Sequence, residues 1–312
     1  MILNQKIQTN VTYKGVTAET AMLTLMKAMK LYEESLIRKE LSQETIRGYQ
    51  VDLKQYREFM MGSSNTPVFV SQITETSILT FVDELKKKNL VATSLNRKIN
   101  SISNFCKFAV KKKWLAINPA EDVDRFKTKK KERDFLTIQE VQQIVEAIKT
   151  PIIQYVVILM SNTGLRISEA ISLQMKDVDF ENKVIHVIEG KGGKDRDIPM
   201  SQSLKEALLH YVKEVRPQVT SLYFFATKKT GSISQQYINK ELKQTAKDLG
   251  IEKTVTSHVL RHSFASQLVK TDTHVSIIQR LLGHADVRTT SIYMHAEQED
   301  LHDAVNAIKF LK

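Results

Sequence analysis

Residues 151–170 read PIIQYVVILMSNTGLRISEA and indicate two helices joined by a sharp turn. Pro151 suits the first turn of a helix, because its missing N–H leaves no helical hydrogen bond unmade there. The apolar residues that follow predict a buried helix, and Gly164 allows the left-handed residue that ends many helices. Arg166 then begins a second helix, where a guanidinium beside free backbone N–H groups favours phosphate binding. Glu169, three residues later, is expected to orient nearby basic groups rather than to react.

A second basic position is the tip of a predicted β-hairpin. Residues 183–200 alternate like two strands around a glycine-rich turn that carries Lys191 and Lys194. A Walker-type phosphate loop ending at Lys194 would need Ser or Thr at position 195, where the chain has Asp195. We therefore interpret the tip as a lysine-bearing hairpin that reaches over a cleft.

A third basic position is the start of a helix predicted over residues 258–270. His258 and Arg261 are three residues apart, so both lie on one face of that helix. A zinc site that pairs His258 with His262 is the competing interpretation. The zinc-protease motif needs Glu at position 259, where the chain has Val259, and no third ligand is apparent.

The rest of the chain predicts two domains. Residues 1–18 are an N-terminal extension, residues 19–119 an all-α domain, residues 120–134 a basic linker, and residues 135–312 a mixed domain with one short sheet. In the all-α domain, helices are predicted over residues 19–39 and after the caps Ser42, Thr74 and Thr93 or Ser94. In the mixed domain, helices are predicted over residues 137–148, 151–162, 203–216, 234–249, 258–270, 274–282 and 297–311.

The net charge of +11 is concentrated in the first part of the chain. Residues 1–133 hold 24 Lys and Arg against 14 Asp and Glu, whereas residues 134–312 hold 22 against 21. A basic domain binds a polyanion with release of counterions, whatever the sequence of the polyanion. The first domain is therefore expected to bind nucleic acid, with candidate DNA contacts at Arg97, Lys98, Lys111 and Lys112.

The composition excludes several classes of protein. The single cysteine, Cys106, excludes an internal disulfide framework and a four-cysteine zinc site. The longest apolar run, residues 155–160, is far shorter than the ~18 residues of a membrane span. The first residues carry no apolar signal-peptide core. We expect an intracellular, water-soluble protein without a membrane partner.

Leu282-Gly283-His284 and then Tyr293 follow the three basic positions near the end of the chain. Taken in order, these motifs resemble the signature of the tyrosine site-specific recombinases, the phage integrase family. Arg261 follows Arg166 by 95 residues. His284 follows Arg261 by 23 residues, and Tyr293 follows His284 by 9. The layout is most similar to Xer-like recombinases, and residues 93–119 are similar to the last helix of the family's core-binding domain. The matching residues are Arg166 in Thr-Gly-Leu-Arg, Lys191 in Gly-Lys-Gly, His258 and Arg261 in His-x-x-Arg-His, His284 in Leu-Gly-His, and Tyr293.

The resemblance implies a fold that is mainly α with a small antiparallel β-sheet. An N-terminal SAM-like helical bundle would be followed by the mixed α/β catalytic domain. It also implies that the enzyme cuts DNA through a covalent 3′-phosphotyrosyl intermediate and rejoins it by way of a Holliday junction. One phosphodiester replaces another in that exchange, so no metal ion, ATP or other cofactor is expected.

The implied roles fall into two groups. Arg166 and Arg261 would clamp the phosphate oxygens in place of a metal ion, and His284 would hold a non-bridging oxygen or the tyrosine. A free phenol has a pKa near ~10, so Tyr293 needs help to attack, and His258 is the candidate base. Lys191 would protonate the leaving 5′ oxygen, a role for which Lys194 competes.

The resemblance also implies partners. These are double-stranded DNA with a specific recombination site, a homotetramer in the synaptic complex, and accessory proteins, in the bacterial cytosol or nucleoid. Leu301, Val305, Ile308 and Leu311 form an apolar stripe on a terminal helix that would dock into a neighbouring protomer. A type IB topoisomerase-like enzyme and a catalytically silent DNA-binding regulator are the alternatives. The sequence does not distinguish integration, excision, transposon resolution and the separation of chromosome or plasmid dimers.

Overall fold

Two folding units, Met1–Lys131 and Glu132–Lys312, divide the chain. The structure is a computed structural model that describes residues 23–64, 66–128, 135–188, 195–229, 231–271 and 273–283. The helix predicted over residues 297–311 lies outside these ranges. Among the described residues, none of the helices has the length and apolar character needed to cross a membrane.

Four α-helices form the described part of the first unit. They are α1 (Leu25–Arg38), α2 (Gln43–Met61), α3 (Glu75–Lys87) and α4 (Ala92–Lys111). The predicted caps Ser42 and Thr74 are confirmed, since each side chain accepts a hydrogen bond from the backbone N–H three residues later.

Two predicted helix starts in this unit are wrong. The predicted helix from Glu19 does not run through Thr24, because Thr24 is extended and caps α1. Helix α4 begins at Ala92, before the predicted caps at positions 93 and 94. The extended residue Val91 sets this start, because its carbonyl already accepts the backbone N–H groups of residues 94 and 95.

An apolar core and one buried ion cluster hold the helices of the first unit together. Fully buried rings, such as Tyr56 and Phe105, fill the centre of the bundle. Beside them the fully buried Asp52 of α2 binds the ammonium of Lys98 of α4 at 3.0 Å and the guanidinium of Arg97 at 2.5 Å. Breaking such a buried pair from one side costs about 3–5 kcal/mol, so this cluster ties α2 to α4.

Part of the predicted linker packs onto the first unit. Ala120 and Val123 are buried in its core, and the backbone of Phe126 exchanges two hydrogen bonds with the side chain of Asn96. Residues 129–134 lie outside the described ranges.

The second unit surrounds a small antiparallel sheet with helices. Strands β1 (Val178–Asp179), β2 (Val184–Val187) and β3 (Arg196–Pro199) follow one another in the sheet, and Val187 pairs with Arg196. The helices are α5 (Ile138–Ala147), α6 (Pro151–Thr163), α7 (Ile167–Ser172), α8 (Gln202–His210), α9 (Gln235–Asp248), α10 (Ser257–Lys270) and α11 (Val275–Leu282).

Most predicted elements of this unit are confirmed, with two corrections. The first is strand β1, which the sequence did not predict because two residues are too few to show alternation. The second is the helix predicted over residues 203–216. It ends as an α-helix at His210 and continues as a π-helical turn over Tyr211–Val215, since the N–H of Arg216 bonds to the carbonyl of Tyr211.

Helix α6 is the central element of this unit. It begins at Pro151 and ends at Gly164, as predicted, with Gly164 in the left-handed conformation at φ +66°. Its buried side chains, among them Ile153, Val157 and Met160, lie in the main core. The turn at Gly164 therefore places Arg166 at a fixed position beside that core.

Replacement of Gly164 by alanine should destabilise the second unit by about 2–4 kcal/mol. A Cβ there would overlap the ring of Phe264 and lie 2.8 Å from Cδ2 of Leu282, in addition to the cost of a left-handed alanine. Urea denaturation gives the free energy of unfolding. Gly250→Ala is the matched control, because Gly250 has φ +70° and no heavy atom within 4 Å of the added Cβ, so only about 1–2 kcal/mol should be lost. Equal losses in the two variants would contradict the packing at Gly164.

Candidate active site

The carboxylate of Glu169 is the centre of a cluster of arginines in the second unit. Glu169 lies in the first turn of α7 and is 9% exposed. Its Oε1 accepts Nη1 of Arg166 at 2.7 Å, and its two oxygens accept the two Nη groups of Arg196 at 3.1 and 2.8 Å. Nη1 of Arg261 lies 4.0 Å from Oε2. Three guanidinium groups from three separate elements therefore meet one carboxylate.

The protonation of Glu169 follows from these contacts. Burial by itself raises the pKa of the carboxyl, but the hydrogen bonds and charges of Arg196 and Arg166 outweigh it and hold the pKa below its ordinary value. Glu169 is therefore ionised at neutral pH. Three cations and one anion give the cluster two net positive charges in a partly buried environment. A cluster with this charge attracts a phosphate.

The same three arginines hold the end of helix α11. Nε of Arg196 donates to the carbonyl of Leu281 at 2.9 Å, Nη2 of Arg261 to Leu282 at 2.6 Å, and Nη2 of Arg166 to Gly283 at 3.0 Å. The last carbonyls of a helix have no partner within the helix and carry its negative dipole end. The arginines thus satisfy three successive carbonyls and fix the end of α11 beside Glu169.

Arg261 also connects the arginine cluster to the turn after α6. Its Nη1 donates to the carbonyl of Gly164 at 2.6 Å. The side chain of Arg261 is 8% exposed, whereas that of Arg166 is 33% exposed. Arg166 is therefore the more accessible of the two predicted clamp residues.

His258 lies one turn before Arg261, at the start of α10. The helix begins after Thr256, whose side chain accepts the N–H of Val259. The His258 side chain is exposed. Neither His258 nor His262 belongs to a group of three His, Cys, Asp or Glu side chains that could hold a metal ion within the described ranges. The zinc alternative therefore gains no support from the described part of the molecule.

The structure brings some of the predicted site residues together. Arg166 and Arg261 meet at Glu169, and His258 shares a helix with Arg261. The other predicted site residues, Lys191, His284 and Tyr293, lie outside the described residues.

Arg196 is a member of this cluster that sequence reasoning missed. It lies on β3 directly opposite Val187, and its side chain is on the same inward face of the strand as that of the buried Ile198. A charged residue in register with the apolar face of a strand requires a buried partner of opposite charge. That register was the available signal, and Glu169 is the partner.

The first unit carries the predicted DNA contacts. Arg97 is half-exposed, and Lys111 and Lys112 are exposed. Lys98 is a correction, because its side chain is only 5% exposed and its ammonium is bound by Asp52 and Gln55 inside the bundle. Its role here is structural, so it is left out of the candidate DNA interface.

Comparisons with known proteins agree with this organisation. The phage integrase family model matches residues 134–300, and the model of the phage integrase N-terminal SAM-like domain matches residues 29–113. Tyrosine recombinase XerD of Staphylococcus epidermidis is 32% identical over an alignment of 277 positions, which covers 85% of this chain and 92% of that protein.

Solved structures show the same fold. The Tn1549 transposon integrase in complex with a circular intermediate DNA has a TM-score of 0.74 at 18% identity, over 91% of this chain and 99% of that one. A lambda integrase dimer bound to a COC′ core site has a TM-score of 0.71 at 19% identity, over 86% and 97%. The mainly α fold with a small antiparallel sheet is thereby confirmed. Because the catalytic model matches more than half of the residues and the XerD relative is matched over nearly its whole length, the chain belongs to the phage integrase family of tyrosine recombinases.

Proposed function

We propose that this chain cuts and rejoins double-stranded DNA at a specific site through a covalent bond to Tyr293. The observation that carries the proposal is the meeting of Arg166, Arg196 and Arg261 on the single carboxylate of Glu169. The two net positive charges suit a phosphodiester, and they stabilise most strongly a transition state in which negative charge builds up on the non-bridging oxygens. Membership of the phage integrase family favours recombination over a topoisomerase or a silent regulator.

The two clamp arginines would act on the scissile phosphate in different ways. Arg166 is one-third exposed and would donate directly to a non-bridging oxygen. Arg261 is nearly buried and would act chiefly through its positive charge. His284 follows Gly283, whose carbonyl binds Arg166, so the end of α11 would deliver His284 to the same phosphate.

The bond changes balance without a cofactor. The phenolic oxygen of Tyr293 forms a bond to phosphorus while the bond to the 5′ oxygen breaks, which leaves a 3′-phosphotyrosyl linkage. His258 would accept the phenolic proton, and Lys191 would give a proton to the departing 5′ oxygen. Rejoining reverses these steps with a 5′ hydroxyl of the partner duplex as the attacking group. One phosphodiester replaces another, so the reaction needs neither ATP nor a metal ion.

The first unit would hold the DNA around this site. Arg97, Lys111 and Lys112 present positive charge for backbone contacts, which position a duplex without reading its sequence. A synaptic complex of four protomers would join two duplexes, with the C-terminal helix of each protomer docked on its neighbour and with accessory proteins where the site requires them. The enzyme would work in the bacterial cytosol or nucleoid, in integration, excision or the resolution of transposons or replicon dimers.

Replacement of Tyr293 by phenylalanine should abolish the covalent adduct and leave DNA binding within about twofold of wild type, because only the attacking oxygen is lost. The substrate is a nicked suicide duplex carrying the site recovered by in vitro selection, and denaturing gels measure the adduct in the presence of EDTA. Tyr223→Phe, which changes an exposed ring of the second unit, is the control and should cleave normally. An adduct formed by Tyr293→Phe, or cleavage that stops on chelation, would overturn the proposal. Relaxation of a supercoiled plasmid without the selected site would instead indicate a topoisomerase.

Replacement of Lys191 by alanine should slow cleavage by about 10²–10⁴-fold, the usual contribution of a positioned acid. The defect should disappear on a duplex with sulfur in place of the bridging 5′ oxygen, because a thiolate leaves without a proton. Lys194→Ala on the same hairpin is the matched control and should cleave both duplexes normally. If Lys194→Ala is the variant that sulfur rescues, the acid is Lys194.

A further inference from the structure

We propose that Arg196 is a positioning residue for DNA cleavage, which holds the Glu169 carboxylate between the clamp arginines and joins the base of the β2–β3 hairpin to the end of α11. This inference rests on the function proposed above. Arg196 stands at the first position of β3, opposite the last residue of β2, and follows Lys191 by five residues in the sequence.

The contacts of Arg196 reach three parts of the site at once. The Nη groups form a two-pronged pair with Glu169, at 3.1 and 2.8 Å, and Nε donates to the carbonyl of Leu281 at 2.9 Å. These bonds use the whole planar fork of the guanidinium, a geometry that a lysine cannot reproduce. The side chain is 6% exposed, so Arg196 acts on its neighbours and not on a bound phosphate.

The turn after α11 is shaped around Arg196. Gly283 has φ +65°, and a Cβ at this residue would lie 2.9 Å from Nη1 and 3.0 Å from Cζ of Arg196. The guanidinium thus packs flat against the residue that directly precedes His284. Loss of Arg196 would leave the carbonyl of Leu281 without this hydrogen bond. Arg166 and Arg261 would still bind the next two carbonyls of α11.

Arg196 also governs the charge of Glu169. Among the described residues, three charged groups face the carboxylate, namely Arg166 on its own element, Arg196 on β3 and Arg261 on α10. Burial favours the protonated carboxyl, and Arg196 is the strongest opposing influence on its pKa. Without Arg196 the pKa of Glu169 should rise. A protonated Glu169 no longer offers a negative charge to the guanidinium of Arg166, so Arg166 would be held less firmly.

The test compares Arg196→Met and Arg196→Lys with wild type in single-turnover cleavage of the suicide duplex at saturating DNA. Arg196→Met should cleave about 10²-fold more slowly, as expected for small displacements of a clamp, while the Kd for DNA changes less than threefold. As the pH is lowered, Arg196→Met should lose cleavage at a higher pH than wild type does, because the raised pKa of Glu169 is reached first. Arg196→Lys should recover part of the rate.

Arg216→Met is the matched control. Arg216 lies in the same unit, and its guanidinium donates to the backbone carbonyls of Ser221, Tyr223 and Phe224. This variant should lose stability without a change in the rate or in the pH profile. If Arg196→Met does not fold, Arg196→Lys carries the test, with an intermediate rate and an intermediate pH profile expected.

The inference is overturned if the folded Arg196 variants cleave at the wild-type rate, or if their pH profile matches that of wild type. It is also overturned if Arg216→Met shows the same defect. If wild type still forms the adduct in these cases and Tyr293→Phe does not, the proposed function stands. Failure of wild type to form any adduct would instead overturn the proposed function.

Discussion

The buried carboxylate of Glu169 is the constraint on which the rest of the site depends. A single buried anion is costly, and it persists here because Arg166 and Arg196 bind it directly while Arg261 lies 4.0 Å away. The same guanidinium groups cannot leave, because each also binds a carbonyl at the end of α11. Charge, hydrogen bonding and backbone position are thus fixed together, and the surplus positive charge remains for a phosphate.

The position of the arginine cluster depends on the apolar core of the second unit. Helix α6 lies in the main core of its unit, and the turn at Gly164 brings Arg166 and the carbonyl bound by Arg261 to the edge of that core. The three cations can therefore lie close together without being pushed apart by their mutual repulsion, because the helices and the strand that carry them are already packed. In the first unit, the buried Asp52 plays a comparable part by holding Arg97 at the surface of the bundle.

Local signals made much of this architecture predictable. Pro151, Gly164 and the caps Ser42 and Thr74 act through the backbone near them, so the sequence alone places them well. Contacts between distant segments were harder to predict. Lys98 was predicted to contact DNA and Arg196 was given no role, and only the fold reveals that each faces a buried carboxylate far away in the chain. The resemblance to tyrosine recombinases implied Arg166 and Arg261 as partners, whereas their shared hold on α11 required the structure.

The central claim is that the arginines at Glu169 act by neutralising charge on a DNA phosphate. The most direct measurement is the cleavage rate of Arg166→Ala relative to wild type on two duplexes. One carries a normal scissile phosphate, and the other carries a methyl group in place of one non-bridging oxygen, so that it is uncharged. We expect a defect of about 10²-fold or more on the charged phosphate that largely disappears on the neutral one. An equal defect on both duplexes would contradict it.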